Sequence, residues 1–317
     1  MKKTWVLLLL TAFFVITGCQ KPAERPVDAA DDFQWEVDRF ADLRILRYQV
    51  PGFNDLTPKQ KELIYYLSEA SLWGRDIVTD QNYKHNLTIR KTLDAVVEGY
   101  QGNRNTPEWR EFMVYTKRVW FSNGIHHHYS TDKFIPGFSP EYFKSLIENS
   151  EGADFPVKDG QSLNEFIAFL EPVLFDPKVD AKKVSQDSTG DLVADSAVNF
   201  YEGVTQAEVE DYYKSLTDED NPTPPSYGLN SRVVKKDGEL TEEVYFIDGL
   251  YGPAIEKIVF WLEKAAGAAE NDQQRKVIEK LIQYYRTGNL KTFDEYNILW
   301  VNDTESHIDF INGFIEV

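Results

Sequence analysis

Thr57-Pro58-Lys59-Gln60-Lys61-Glu62-Leu63 sets the character of the chain. A threonine hydroxyl can accept an unpaired N–H of a helix's first turn, and proline tolerates the next position because that N–H has no intrahelical partner. Ile64, Leu67 and Ala70 then recur at three- and four-residue spacing, so residues 57–74 are expected to form a helix that buries one face.

The same spacing recurs over residues 87–97, 107–120 and 139–147, the last opened by a second cap-then-proline pair, Ser139-Pro140. The first third therefore reads as helical. Two more helices are expected at 163–170 and 205–216, where Thr205 and Glu208 form a capping-box pattern. Between 226 and 247 the pattern changes to runs of β-formers around Lys236-Asp237-Gly238-Glu239, and Asp-Gly is a two-residue hairpin signal. Residues 251–269, with Ile255, Ile258, Val259 and Leu262 on one face, return to helix, followed by 272–285 and 293–300. The fold class expected is α+β, predominantly helical, with a small β element around 226–247.

The amino end has a different logic. Lys2 and Lys3 precede an apolar run from Val6 to Ile16, which is shorter than the roughly 20 residues that span a bilayer. Ile16-Thr17-Gly18-Cys19 closes it and resembles a lipobox, in which the cysteine thiol is acylated and small residues precede the cut. This implies an export signal at 1–18, lipidation at Cys19 and a Pro- and charge-rich tether over 19–32, with a folded part, 33–317, beginning near Phe33. Such a protein is exported and held on the bacterial cell envelope by the lipid on Cys19. Gln20 is not the Asp that would suggest inner-membrane retention, which favours the outer-membrane or periplasmic side.

Cys19 is the sole cysteine, so acylating it leaves no thiol for a disulfide, a nucleophile or a metal ligand. Losing Lys2 and Lys3 with the signal takes 34 basic residues to 32 against 52 acidic ones, and the net charge from −18 to −20. That balance excludes nucleic acid as a partner, because affinity for phosphate chains comes mainly from Lys and Arg. No Gly-x-Gly-x-x-Gly, Gly-x-Ser-x-Gly or phosphate-loop pattern is present.

His126-His127-His128-Tyr129, just after Asn123, is the densest group of chemically able side chains. In an extended segment His126 and His128 would point the same way, and two imidazoles with a carboxylate can hold zinc. They can equally form a polar cleft wall, and no histidine is followed by Glu as in an H-E-x-x-H helix. The acidic residues are too many for spacing to pick a catalytic pair; Asp309 and Glu316 flank the apolar run at the carboxyl end. Trp109, Tyr115, Trp120, Tyr284, Tyr285 and Trp300 fall within helical patterns and read as core, with stacking against a sugar or peptide as the other use.

Several longer strings carry a resemblance. Phe40-Ala41-Asp42-Leu43-Arg44-Ile45-Leu46-Arg47-Tyr48-Gln49-Val50-Pro51-Gly52-Phe53, the stretch from Lys117 through Tyr129, Ser226-Tyr227-Gly228-Leu229-Asn230-Ser231-Arg232 and Asp309-Phe310-Ile311-Asn312-Gly313-Phe314-Ile315-Glu316 resemble bacterial members of the dipeptidyl peptidase III family. The resemblance implies a zinc metallopeptidase of two lobes that removes dipeptides from the amino end of short peptides. Zinc in that family is held by an H-E-x-x-G-H helix and a further Glu in the upper lobe, none of which is present here.

The chain is thus expected to be the lower, substrate-holding lobe of a truncated protein, without the zinc-bearing lobe and with no catalytic or metal-ligating residue of its own. Its match to the family makes Glu316 the carboxylate that fixes the peptide's ammonium, with Asn123, His126, His128 and Tyr129 lining the same cleft. A family tyrosine two positions after that Glu would fall one residue past Val317, and the apolar ending has no polar tail, so the chain reads as cut. Zinc belongs to the intact protein, and this portion alone is expected to be inactive. Two other readings compete: a complete, non-enzymatic lipoprotein that binds peptide or glycan, and a structural lobe without a ligand.

Overall fold

The structure is a computed structural model that describes residues 33–218 and 220–313. The expected signal, tether and lipidated Cys19, and the expected ammonium ligand Glu316, lie outside the described residues. The described residues fall into two compact units that divide between Gln49 and Val50.

In the first unit, β1 (Glu36–Phe40) and β2 (Leu43–Leu46) form an antiparallel hairpin in which Arg39 faces Arg44 and Phe40 faces Leu43. Ala41 turns the chain with φ of 47°. Glu36 accepts from Arg39 at 3.1 Å and lies 3.7 Å from Arg44. The sequence pattern had placed no strand here, because β1 carries three charged side chains in five and no apolar alternation strong enough to mark it.

The second unit opens with α1 (Pro58–Asn82), where Thr57 and Gln60 close a full capping box. The helix runs eight residues past the expected end at Gly74. Arg75–Asn82 stays helical because Ile77, Thr79, Gln81 and Asn82 are buried, which outweighs the roughly 1 kcal/mol that a mid-helix glycine costs. Next come α2 (Asn86–Gly99), α3 (Pro107–Phe121), α4 (Pro140–Glu148) and α5 (Leu163–Phe175). Thr106 and Ser139 cap α3 and α4 by accepting from Trp109 and Tyr142 N–H groups. A Ser162/Glu165 capping box starts α5, which runs through Pro172 to Phe175, five residues beyond its expected end.

The β element is smaller than 226–247 suggests, and it has a third strand. A two-residue turn joins β4 (Ser231–Lys236) to β5 (Glu239–Val244); Asp237 and Gly238 both have positive φ, 51° and 87°, which matches the right-handed twist of the strands. Parallel to β4 lies the two-residue β3 (Tyr201–Glu202). The Thr205/Glu208 capping box opens α6 (Gln206–Leu216) as expected, with Thr205 N–H on Glu208 at 3.0 Å. The chain closes with α7 (Gly252–Ala268), α8 (Asp272–Thr287) and α9 (Leu290–Val301).

Two large cores result. Leu63, Ala70 and Ile77 of α1 pack with Ile255, Ile258 and Leu262 of α7 and with Val277, Ile278 and Leu281 of α8. Leu93, Phe112, Phe143, Phe166 and Leu170 centre the core of α2 to α5, and Trp109 and Tyr115 are buried in it as their helical spacing implied. The predominantly helical α+β class is borne out.

Candidate functional site

One cavity, of about 510 Å³, gathers residues that the sequence pointed to. Its long wall is one face of α1, where Leu67, Ala70, Ser71, Gly74 and Val78 follow at helical spacing. Ile258 and Leu262 of α7 with Leu281 and Tyr285 of α8 form the floor. Asn123 and His128 come in from the loop after α3, and Phe310, Ile311, Asn312 and Gly313 line it from the end of the described chain. Cavities of about 560 Å³ beside Thr131 and Asp180, and about 690 Å³ beside Phe53 and Ile308, are larger. The smaller one is the better candidate, because an apolar floor with a few convergent polar groups is what small ligands require.

The end segment is fastened along this wall by local chemistry. Glu270 accepts from the N–H groups of His307 and Ile308 at 2.9 and 2.7 Å, and Gln274 donates to the Ile308 carbonyl at 2.7 Å. Asp309 accepts the Trp300 indole N–H at 2.8 Å, and the Tyr285 hydroxyl donates to Asn312 at 2.6 Å. Asp309 therefore fixes the backbone rather than facing the cavity.

The loop that carries Asn123 and His128 is held by a residue that sequence reasoning missed. Asn86, fully buried at the start of α2, accepts from the Ile125 N–H at 3.1 Å and donates to the carbonyls of Thr79 and Asn123 at 3.1 and 3.3 Å. Asn82 on α1 donates to the same Asn123 carbonyl at 3.2 Å. Asn123 takes a positive φ of 50°, and Gly124 follows with φ of 146°, where a Cβ would lie 2.0 Å from the Asn86 amide nitrogen. Two asparagines on helices could have been flagged as turn or cap formers; nothing in their spacing says which loop they hold.

The histidines do not act as one row. His126 is 3% exposed, and its Nε2 donates to the Asp180 carbonyl at 2.7 Å. A carbonyl only accepts, so Nε2 carries the proton and Nδ1, buried without a partner among the described residues, carries the lone pair. Burial drives the His126 pKa down to about 4; Lys133 and Lys183 push the same way against the pull of Asp180, so the ring is neutral. His127 accepts from the N–H groups of Tyr129 and Ser130, each at 3.1 Å, which makes a turn. That turn sends His128 outward to the cavity and leaves Tyr129 86% exposed, edge-on to His128 at 4.8 Å. The expectation that His126 and His128 point the same way is thus corrected, and His126 belongs to the core instead of a cleft wall.

Zinc does not fit these side chains. His126 is buried on the Asp180 carbonyl while His128 lines the cavity, and among the described residues no group of three or more His, Cys, Asp or Glu is placed to hold a metal.

Comparison with known proteins gives a consistent pattern. Residues 226–317 match the family model of peptidase family M49. The chain is 22% identical over 295 residues to dipeptidyl peptidase 3 of Homo sapiens, and 20% identical over 291 residues to that of Dictyostelium discoideum. Each alignment covers 84% of this chain and 40% of the relative, so the chain spans about 40% of the length of these curated relatives. Among solved structures, DPP III from Caldithrix abyssi is similar at 16% identity and a TM-score of 0.47, over 81% of this chain and 35% of that one.

Proposed function

Because the chain belongs to the dipeptidyl peptidase III family, peptidase family M49, we propose that it forms the peptide-holding part of a zinc-dependent dipeptidyl peptidase that releases dipeptides from the amino end of short peptides. The observation that carries this reading is the cavity lined at once by Asn123, His128 and the end segment through Gly313. Glu316 follows Gly313 by three positions in the sequence. An exopeptidase that measures from a free amino end has to fix an ammonium, and a carboxylate does so by a charge-assisted hydrogen bond.

Asn123 and His128 contact the peptide, and Tyr129, which does not line the cavity, packs edge-on against His128. His126 acts behind them by holding the loop to Asp180. Zinc and the hydrolytic step we assign to residues outside this chain, since no group of three or more His, Cys, Asp or Glu among the described residues converges on a metal. Export and anchoring through a lipid on Cys19, on the outer-membrane or periplasmic side, belong to the same proposal and rest on Ile16-Thr17-Gly18-Cys19.

The test is calorimetric titration of the full chain with an unmodified tetrapeptide and its N-acetyl derivative. Acetylation is expected to weaken binding at least about tenfold, a difference of about 1.4 kcal/mol, and Glu316→Gln to abolish the difference. Equal affinity for both peptides, or no binding of either, contradicts the proposal.

A further inference from the structure

The cavity's charge is unusual for so acidic a chain. The sequence holds 52 acidic and 34 basic residues, yet among the described residues that line the cavity none is Asp or Glu, and one, Arg75, carries a full charge. Arg75 lies on α1 one turn beyond Ser71 and beside Gly74, whose missing side chain leaves open space next to the guanidinium. The nearest carboxylate, Asp76, is 4.0 Å from Arg75 Nε but only 2.7 Å from Arg90, which donates to it directly. A carboxylate held by Arg90 neutralises Arg75 weakly, so the guanidinium fork remains available on the cavity's rim.

Length supports the same reading. The lining face of α1 runs from Leu67 to Val78, about 16 Å at about 1.5 Å per residue, which equals roughly five residues of extended peptide. We infer that Arg75 is a specificity-determining residue: it receives a carboxylate of the bound peptide, so the cavity favours short peptides that present a free carboxyl end, or an acidic side chain, a few residues from the amino end. The inference rests on the proposed peptide site and names its substrate class. The Arg75 side chain is 63% exposed, so water and salt screen the pair, and its contribution is selectivity more than raw affinity.

The experiment is calorimetric titration of the full chain with three peptides at low and at physiological salt: a leucine-rich tripeptide with a free carboxyl end, the same tripeptide amidated, and an amidated version ending in glutamate. The free acid is expected to bind roughly three- to tenfold more tightly than the amide, with the preference shrinking in salt. Arg75→Gln should reduce the ratio to about one without weakening the amide, and Arg75→Lys should keep part of it. Recovery of affinity by the glutamate peptide identifies a side-chain source; no recovery identifies the terminal carboxylate. Equal binding of acid and amide to the wild-type chain overturns the role of Arg75 and leaves the peptide site standing, as does a preference that survives Arg75→Gln. Failure of all three peptides to bind overturns both.

Discussion

Protonating His126 should unlatch the loop that carries Asn123 and His128, and the cost can be worked from its surroundings. The folded pKa is about 4 against an ordinary 6.5, so the unfolded chain takes up the proton first as pH falls. Stability contributed by the neutral ring is complete above 6.5, declines as pH drops toward 4, and is lost below it. At about 1.4 kcal/mol per pH unit the whole window amounts to about 3 kcal/mol, of which about 2 kcal/mol falls between pH 7 and pH 5. Burial and the cations Lys133 and Lys183 oppose protonation and outweigh Asp180, whose carbonyl holds Nε2 and whose charge favours the imidazolium, while Tyr83 packs edge-on at 5.5 Å. His85, also pushed down by burial, titrates in the same direction, so the assay must isolate His126. Urea unfolding of the wild type and His126→Gln at pH 7 and pH 5 does so, because His85 and the carboxylates are common to both. The wild type should lose about 2 kcal/mol more than the variant over that interval. Equal losses, or an imidazole resonance of His126 that titrates near 6.5, would refute the burial argument.

Gly124→Ala should lower stability by about 2 kcal/mol or more and weaken peptide binding, since an alanine at φ of 146° is strained and its Cβ meets Asn86; unfolding midpoints check this. Lys133→Met should cost about 3 kcal/mol in the same assay, because the buried ammonium donates to the carbonyls of Val173, Asp176 and Val179 at the end of α5, which the variant leaves unpaired. The purified full chain should neither retain stoichiometric zinc by elemental analysis nor hydrolyse a dipeptidyl-arylamide; either result would return attention to the histidine turn.

Much of this molecule is written locally. Thr57, Ser139 and Thr205 announce their helices because a cap needs only a side chain and an N–H two or three positions away. Asp237-Gly238 announces its hairpin because positive φ at both positions is intrinsic to those residues. What the sequence hid depends on distant partners. Strand β3 is two residues long and exists through its pairing with Val233 and Val234, and α1 continues past Gly74 because its last turns are buried by other elements. The site divides the same way: Asn123 and His128, which the family resemblance singles out, line one cavity, but the burial of His126 follows from Asp180, and the loop's direction from Asn86. Arg75 looked like one more charge on a helix until the lining around it proved free of carboxylates among the described residues.

The central claim is that the cavity along α1, α7 and α8 holds a peptide. Hydrogen exchange of the full chain with and without a saturating unmodified tetrapeptide tests it most directly. Slower exchange confined to the α1 face from Leu67 to Val78, the Asn123–His128 loop and the Phe310–Gly313 segment is the result predicted. Unchanged exchange there, or protection centred instead on the cavity beside Thr131 and Asp180, would contradict it.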